Sequence, residues 1–179
     1  TINAVFRLFA SACLMLIAVM PFVFPLMVNA QYAGAYVQIP ILMIAVLFQV
    51  VQGLYSVVYV ALKKSKEIAK TSMYAAAINL IVDVLLIKFI GLYAASAATL
   101  VAYASMAIYR YFDIRRYVRA ELEMKSILST IAMGAVVIVS YYINSVYSNI
   151  AVALATFVYC VAVNRSMLRT IVKAVLGKA

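Results

Sequence analysis

Six apolar segments, each long enough to cross a lipid bilayer, limit what this 179-residue chain can fold into. A transmembrane helix takes roughly 20 predominantly apolar residues, and the shortest segments here have about 18. Hydrophobic residues make up 69% of the chain and charged residues 11%, whereas soluble domains average roughly half and a quarter. The sequence therefore predicts an all-α polytopic integral membrane protein with six transmembrane helices. The segments are 8–28, 39–62, 72–90, 92–109, 126–143 and 146–163.

Basic residues are concentrated in the connections on one side of these segments. The net charge is +10, and of the 15 Lys and Arg residues only Lys88 falls on the other side. Because cytoplasmic loops of membrane proteins are enriched in Lys and Arg, both termini are predicted to be cytoplasmic and to lie beside anionic lipids. The interruption of the basic clusters by apolar segments argues against nucleic acid as a partner. The basic residues of this side are Arg7, Lys63, Lys64, Lys66, Lys70, Arg110, Arg115, Arg116, Arg119, Lys125, Arg165, Arg169, Lys173 and Lys178.

The segments divide the chain into three predicted parts. Residues 1–109 form a four-helix part, residues 110–125 a basic amphipathic connector at the cytoplasmic surface, and residues 126–179 a final helix pair with a basic tail. The connector has the sequence RYFDIRRYVRAELEMK, in which charged and aromatic residues alternate as in helices that lie on a membrane. Since the chain begins with Thr1 and not with Met, we expect a longer protein whose amino-terminal part is missing here.

A stripe of polar side chains follows one face of the second predicted helix. Gln49, Gln52, Ser56 and Tyr59, continued by Lys63, are separated by steps of three and four residues, which place them on one side of a helix. Such groups either form hydrogen bonds between helices or line a water-filled cavity. For the two glutamines and Ser56 the sequence leaves both alternatives open.

Asn79 and Asp83 put an amide and a carboxylate four residues apart inside the third segment. Asp83 lies about two residues from the middle of segment 72–90, where a carboxylate costs roughly 2.5–3.5 kcal/mol. This cost favours a side chain that faces an aqueous path over one with a purely structural role. Arg7 stands just before the first segment, where an orientation charge at the membrane interface is the simpler interpretation.

The sequence offers little that an enzyme could use. It has no His and only five acidic residues, and it contains no cluster with metal-ligand spacing, no glycine-rich phosphate loop and no Ser/His/Asp arrangement. We therefore expect no enzymatic activity, no metal and no cofactor. The polar residues inside the helices are the candidate functional residues.

The stretch around Asn79 and Asp83 resembles the polysaccharide (O-antigen and exopolysaccharide) flippase family of the multidrug/oligosaccharidyl-lipid/polysaccharide exporter superfamily. The family pattern is a basic loop, a helix with Asn and a second Asn or Asp four residues later, and then Leu-Ile-Pro, Phe-Gly and Gly-Ala-Ala-x-Ala-Thr. Lys88 stands where the family usually has proline, and Ala94 where it has a second glycine. The resemblance covers residues 1–110. The matching residues are Lys63, Lys64, Lys66, Asn79, Asp83, Leu86, Ile87, Gly91, Ala95, Ala98 and Thr99.

The resemblance implies a two-lobed transporter of roughly 12–14 helices, of which this chain is the carboxyl-terminal lobe. Such proteins move polyprenyl-diphosphate-linked oligosaccharides across the bacterial inner membrane by alternating access. The partners are then the lipid-linked oligosaccharide and the amino-terminal lobe of the same protein. Two other classes stay open, namely a multidrug/cation antiporter of the same superfamily and a membrane scaffold that transports nothing.

Roles for the polar residues follow from the same resemblance. The glutamines and Asn79 would bind sugar hydroxyls, Tyr59 would stack on a sugar ring, and Arg7 would meet the diphosphate. Asp83 is also the candidate for coupling transport to a proton or another cation. The substrate-cavity candidates are Gln49, Gln52, Ser56, Tyr59, Asn79, Asp83 and Arg7.

Overall fold

A computed structural model of the protein describes residues 2–117 and 123–167. Within these ranges the chain is helical and contains no strand. A 3₁₀ helix, Ala30–Gln38, follows the first α-helix. The six long α-helices are α1 (Ile2–Met27), α2 (Ile39–Ala61), α3 (Ser65–Ile90), α4 (Tyr93–Ile114), α5 (Met124–Ile143) and α6 (Val146–Val163).

The all-helical fold is confirmed, and each predicted segment coincides with one helix. Three helices extend well beyond their segments: α1 begins at Ile2 instead of residue 8, α3 begins at Ser65 instead of residue 72, and α4 continues from residue 109 to Ile114. Apolar content marks only the part of a helix that is suited to lipid, whereas the backbone hydrogen bonds continue through charged turns beyond it. The first five residues of the predicted connector therefore belong to α4.

Five helical stretches in the described residues are long and apolar enough to cross a membrane. They correspond to α1, to the 3₁₀ helix together with α2, and to α3, α5 and α6. The helix α4 is not among them, since Ser and Tyr recur along it and Arg110 and Asp113 lie near its end. A multi-pass membrane protein is consistent with these five helices.

Residues with a positive φ, in the left-handed region of backbone conformation, allow short turns between consecutive helices. Gly91 ends α3 with φ 55° and ψ −128°, a conformation that a side chain disfavours, and its N–H donates to the carbonyl of Ile87 at 3.0 Å. Asn144 ends α5 with φ 51° and ψ 36° and donates to the carbonyl of Ser140 at 3.0 Å. Lys63, with φ 57°, lies in the turn between α2 and α3. Two of these turns produce helical hairpins, α3 with α4 and α5 with α6.

The helices α2, α3 and α4 belong to one compact unit. Within it α4 packs against both other helices. Ala94, Ala98 and Ala102, spaced four residues apart on α4, are buried, and their small side chains let neighbouring helices approach closely. A cluster of Tyr55, Tyr59 and Ile114 fills the end of the unit at which α2 turns into α3.

The helices α1, α5 and α6 belong to a second compact unit. A Cβ atom at Gly134 of α5 would lie 3.4 Å from Cδ2 of Leu14 on α1, so the two helices are in van der Waals contact at this position. The units divide the helices differently from the predicted parts, because α1 packs with the final helix pair. Connector residues 118–122 and tail residues 168–179 lie outside the described residues, and with them Arg119, Arg169, Lys173 and Lys178.

Candidate functional site

The side chain of Arg110, on α4, is almost completely buried, with 1% of its surface exposed. On the α2 side its Nη1 donates to the backbone carbonyl of Gln52 at 3.1 Å. The same nitrogen forms short hydrogen bonds to the side-chain oxygen of Gln52 and to the hydroxyl of Ser56. The guanidinium therefore connects α4 to the polar stripe of α2.

On the α3 side the same guanidinium binds the first turns of the helix. Nε and Nη2 both donate to Oγ1 of Thr71, at 3.0 and 2.7 Å. Nη2 also donates to the carbonyl of Ile68 and to the hydroxyl of Ser72, each at 3.3 Å. One side chain thus joins three helices, and its donor nitrogens all have acceptors.

All hydrogen-bond acceptors of Arg110 are neutral. In residues 2–117 and 123–167 no carboxylate oxygen lies within the 4.0 Å that defines an ion pair with this guanidinium. A buried charge is costly unless its hydrogen-bonding groups are satisfied, and here hydroxyls, an amide and two carbonyls satisfy them. The arrangement has the properties of a structural clamp, because the guanidinium is closed off from solvent and its donors are occupied.

A second polar contact between α2 and α4 lies close to this clamp in sequence. The hydroxyl of Tyr59, which is fully buried, donates to Oδ2 of Asp113 at 2.7 Å. Arg116 approaches the other oxygen of this carboxylate at 4.0 Å. Asp113 is thereby held against the core of the unit.

The structure divides the predicted stripe of α2. Gln52, Ser56 and Tyr59 face α4 and contact Arg110 or Asp113. These contacts are interhelical hydrogen bonds, one of the two alternatives that the sequence leaves open. Gln49 is exposed, and Lys63 lies beyond the end of α2 and does not continue the stripe.

Asn79 lies on the side of α3 that borders α4, and Asp83 follows one turn later on the same helix. The amide nitrogen of Asn79 donates to Oγ1 of Thr99 at 3.4 Å, and this hydroxyl donates to the carbonyl of Ala95 at 2.8 Å. The half-buried Asp83 has one buried oxygen, Oδ1, with no hydrogen-bond partner in the described part of the chain. Six of the seven substrate-cavity candidates belong to this unit. Among these six, only Asp83 has a buried side-chain atom without a hydrogen-bond partner in the described residues.

Carboxylate, amide and hydroxyl oxygens are the ligands that hard cations prefer, so Asp83 and its neighbours are chemically suited to a cation or a proton. A group of three or more His, Cys, Asp or Glu side chains that could hold a metal ion does not occur in the described residues. A metal ion bound by Asp83 would therefore need neutral oxygens as its other ligands.

Arg7 belongs to the unit of α1, α5 and α6, whereas the other six substrate-cavity candidates belong to the unit of α2, α3 and α4. Its Nη1 is 3.6 Å from Oε2 of Glu123, the residue that precedes α5. Its Nε is buried and has no hydrogen-bond partner among the described residues. Arg7 is thus more than a charge at the end of a helix, since part of its guanidinium is enclosed by the protein.

The contacts of Arg110 and Asp113 were not predicted from the sequence. Arg110 was counted only among the basic residues of the cytoplasmic side, whereas the structure shows its side chain buried and bound to α2 and α3. A signal was present in the sequence. The buried residues Ala94, Ala98, Ala102 and Met106 recur every four positions along α4, and the next step of this row falls on Arg110.

Comparisons of the chain with protein-family models, with curated proteins and with solved structures found no match.

Replacement of Arg110 by Gln is expected to lower the free energy of unfolding by at least about 3 kcal/mol, because it leaves several buried acceptors on α2 and α3 without a donor. Arg116→Gln removes the same charge from an exposed side chain six residues further on and should change it by less than about 1 kcal/mol. Thermal unfolding of the two purified variants in one detergent measures the difference. Equal shifts would show that Arg110 contributes only its charge.

Proposed function

We propose that this chain is part of a membrane transporter that flips polyprenyl-diphosphate-linked oligosaccharide across the bacterial inner membrane for surface polysaccharide synthesis. In this proposal the chain is the carboxyl-terminal lobe of a two-lobed protein, and its substrate crosses by alternating access between the lobes. The missing partner is the amino-terminal lobe.

The observation that carries the proposal is the carboxylate of Asp83. It lies seven residues before the end of α3, about 10 Å along the helix axis at 1.5 Å per residue. An ionisable residue at such a depth is expensive and by default indicates a functional site. Since its Oδ1 is buried without a partner within the described chain, a partner from elsewhere would complete it: water, a transported group, a coupling ion or the second lobe.

The proposed topology has six spans and cytoplasmic termini. The span that this topology adds to the five apolar stretches is α4. Its 22 residues extend about 33 Å, enough to cross a hydrocarbon core of about 30 Å. Its polarity is compatible with this position because Arg110 and Asp113, near one end, are bound by α2 and α3. The basic turn at Lys63 and Lys64 then lies on the cytoplasmic side.

One observation favours a second candidate, a membrane scaffold that transports nothing. Gln52, Ser56 and Tyr59, assigned to a substrate cavity from the sequence, have partners within their own unit. A chain in which all such groups served packing would tolerate apolar replacement of Asp83 as well. The two candidates therefore differ in what Asp83 does.

Asp83→Asn should reduce polysaccharide export strongly, by at least about tenfold if the charge binds a coupling ion, since the amide keeps the shape and loses the charge. The measurement is complementation of a flippase-deficient strain by the full-length protein, with the amount of protein in the membrane determined in parallel. Lys88→Gln, which removes one exposed charge from the same helix, is the matched control and should complement normally.

Wild-type export by Asp83→Leu at normal protein levels would contradict the proposal and favour the scaffold. Loss of export together with loss of the protein from the membrane would be a folding defect. For that case Asp83→Glu, which restores the charge, should recover part of the export.

The topology predicts which exposed positions a membrane-impermeant thiol reagent reaches from outside. In a background with Cys13→Ala and Cys160→Ala, Gly34→Cys and Tyr147→Cys should be labelled in intact cells, whereas Ser65→Cys and Tyr117→Cys should be labelled only after lysis. All four positions are exposed, so access depends on the side of the membrane and not on burial. Labelling of position 65 in intact cells would overturn the orientation.

A further inference from the structure

Gln49 is an exposed amide residue near the middle of α2. The helix runs from Ile39 to Ala61, so Gln49 lies one residue from its centre. The side chain has no hydrogen-bond partner within the described residues. Because α2 is long and apolar enough to cross a membrane, this position would face hydrocarbon, where an amide without a partner is costly. The cost indicates a partner from outside the described chain.

Gln49 belongs to a stripe that extends along most of α2 and that we call the α2 face. At roughly 3.6 residues per turn its five members fall within about 80° of the helix circumference. The three aliphatic members are 39–67% exposed, whereas Tyr55 and Tyr59, on another side of the helix, are buried in the unit. The α2 face consists of Leu42, Gln49, Gly53, Val57 and Val60.

Gly53 lies near the middle of the α2 face, one turn after Gln49. Apart from the backbone of its own helix, no described atom lies within 4 Å of the place that a Cβ atom would take there. The packing of this chain therefore does not require a glycine, although glycine inside a helix is less stable than alanine. In membranes, a glycine on a helix surface lets another helix approach closely, and polar side chains then form hydrogen bonds across the contact.

We propose that the α2 face is an interface between two copies of this chain. A glutamine amide both donates and accepts hydrogen bonds, so Gln49 of each copy offers the group that the other lacks. Two copies inserted in the same orientation have parallel α2 helices. A two-fold axis along the membrane normal then brings each position of the face opposite its own equivalent. The two Gln49 amides exchange hydrogen bonds, and the two Gly53 residues let the backbones approach.

A second copy fits the α2 face better than lipid or a small ligand. Lipid chains offer no hydrogen-bonding group to Gln49. A small polar ligand needs several convergent polar groups, whereas the other members of the face are three aliphatic residues and a glycine. The dimer does not depend on the proposed flippase function and requires only that α2 crosses a membrane. Gln49, which the family resemblance assigns to the substrate cavity, then serves assembly.

Oxidative cross-linking of single cysteines in native membranes tests the interface. In a background with Cys13→Ala and Cys160→Ala, Val60→Cys should form a disulfide-linked dimer, because the two-fold axis brings position 60 next to its equivalent. Val84→Cys on α3 is the matched control and should stay monomeric, since Val60 and Val84 are both 60% exposed. Equal cross-linking at the two positions would reflect random collision and would overturn the proposal, as would a monomer at both.

Energy transfer between donor- and acceptor-labelled copies of the full chain in lipid vesicles measures the contribution of each residue. Gln49→Leu should raise the dissociation constant of the dimer at least about threefold, and Gln49→Asn, which keeps a self-complementary amide, should raise it less. Gly53→Leu should raise it at least about tenfold, because the added side chain keeps the backbones apart. Val84→Leu is the control and should leave it unchanged. A dissociation constant that no variant of the α2 face alters would overturn the proposal.

Failure of this inference and failure of the proposed function are distinguishable. If Gln49→Leu abolishes export by the full-length protein while association is unchanged, the α2 face meets the substrate or the second lobe, and the dimer fails while the flippase proposal stands. If association weakens as stated but the full-length protein does not restore export to a flippase-deficient strain, the dimer stands and the flippase proposal fails. Should Gly53→Leu not accumulate in the membrane, Gly53→Ala, whose methyl group has open space in the single chain, provides the same comparison.

Discussion

The need to satisfy a guanidinium that is buried among apolar helices organises the unit formed by α2, α3 and α4. Arg110 has acceptors on two other helices, and its removal would leave Gln52, Ser56 and Thr71 facing a cavity. The small residues along α4 bring the helices close enough for these hydrogen bonds to form. The polar stripe of α2 is thereby explained in large part as the lining that a buried charge requires.

The presence or absence of a hydrogen-bond partner distinguishes the polar residues that serve packing from the candidate functional residues. Gln52, Ser56 and Tyr59 have partners and serve the packing of the unit. Asp83, Arg7 and Gln38 each keep a buried atom without a partner in the described chain, namely a carboxylate oxygen, a guanidinium nitrogen and an amide nitrogen. Such atoms are costly, and at Asp83 this cost supports the proposal that a group from outside the described chain binds there. The proposal of an intramembrane site at Asp83 follows from this distinction.

The helices and their turns were predictable from the sequence, since apolar length and residues such as Gly91 act locally. The role of Arg110 was not recognised, because an apolar segment that stops at residue 109 places the next residue in a loop by definition. The packing of α1 with α5 and α6 could not be predicted either. It depends on contacts such as that of Leu14 with Gly134, which are 120 residues apart and leave no periodic pattern. Burial of single atoms in Asp83 and Arg7 likewise requires coordinates.

A double-mutant cycle between Arg110 and Thr71 tests the central claim most directly, because two nitrogens of the guanidinium donate to this one hydroxyl. Arg110→Gln, Thr71→Val and the double variant are compared with the wild type by unfolding in detergent. Thr71→Val paired with Arg116→Gln is the control and should be additive. The clamp predicts a coupling energy of about 1–3 kcal/mol between Arg110 and Thr71. Additivity of that pair within about 0.5 kcal/mol would contradict the account.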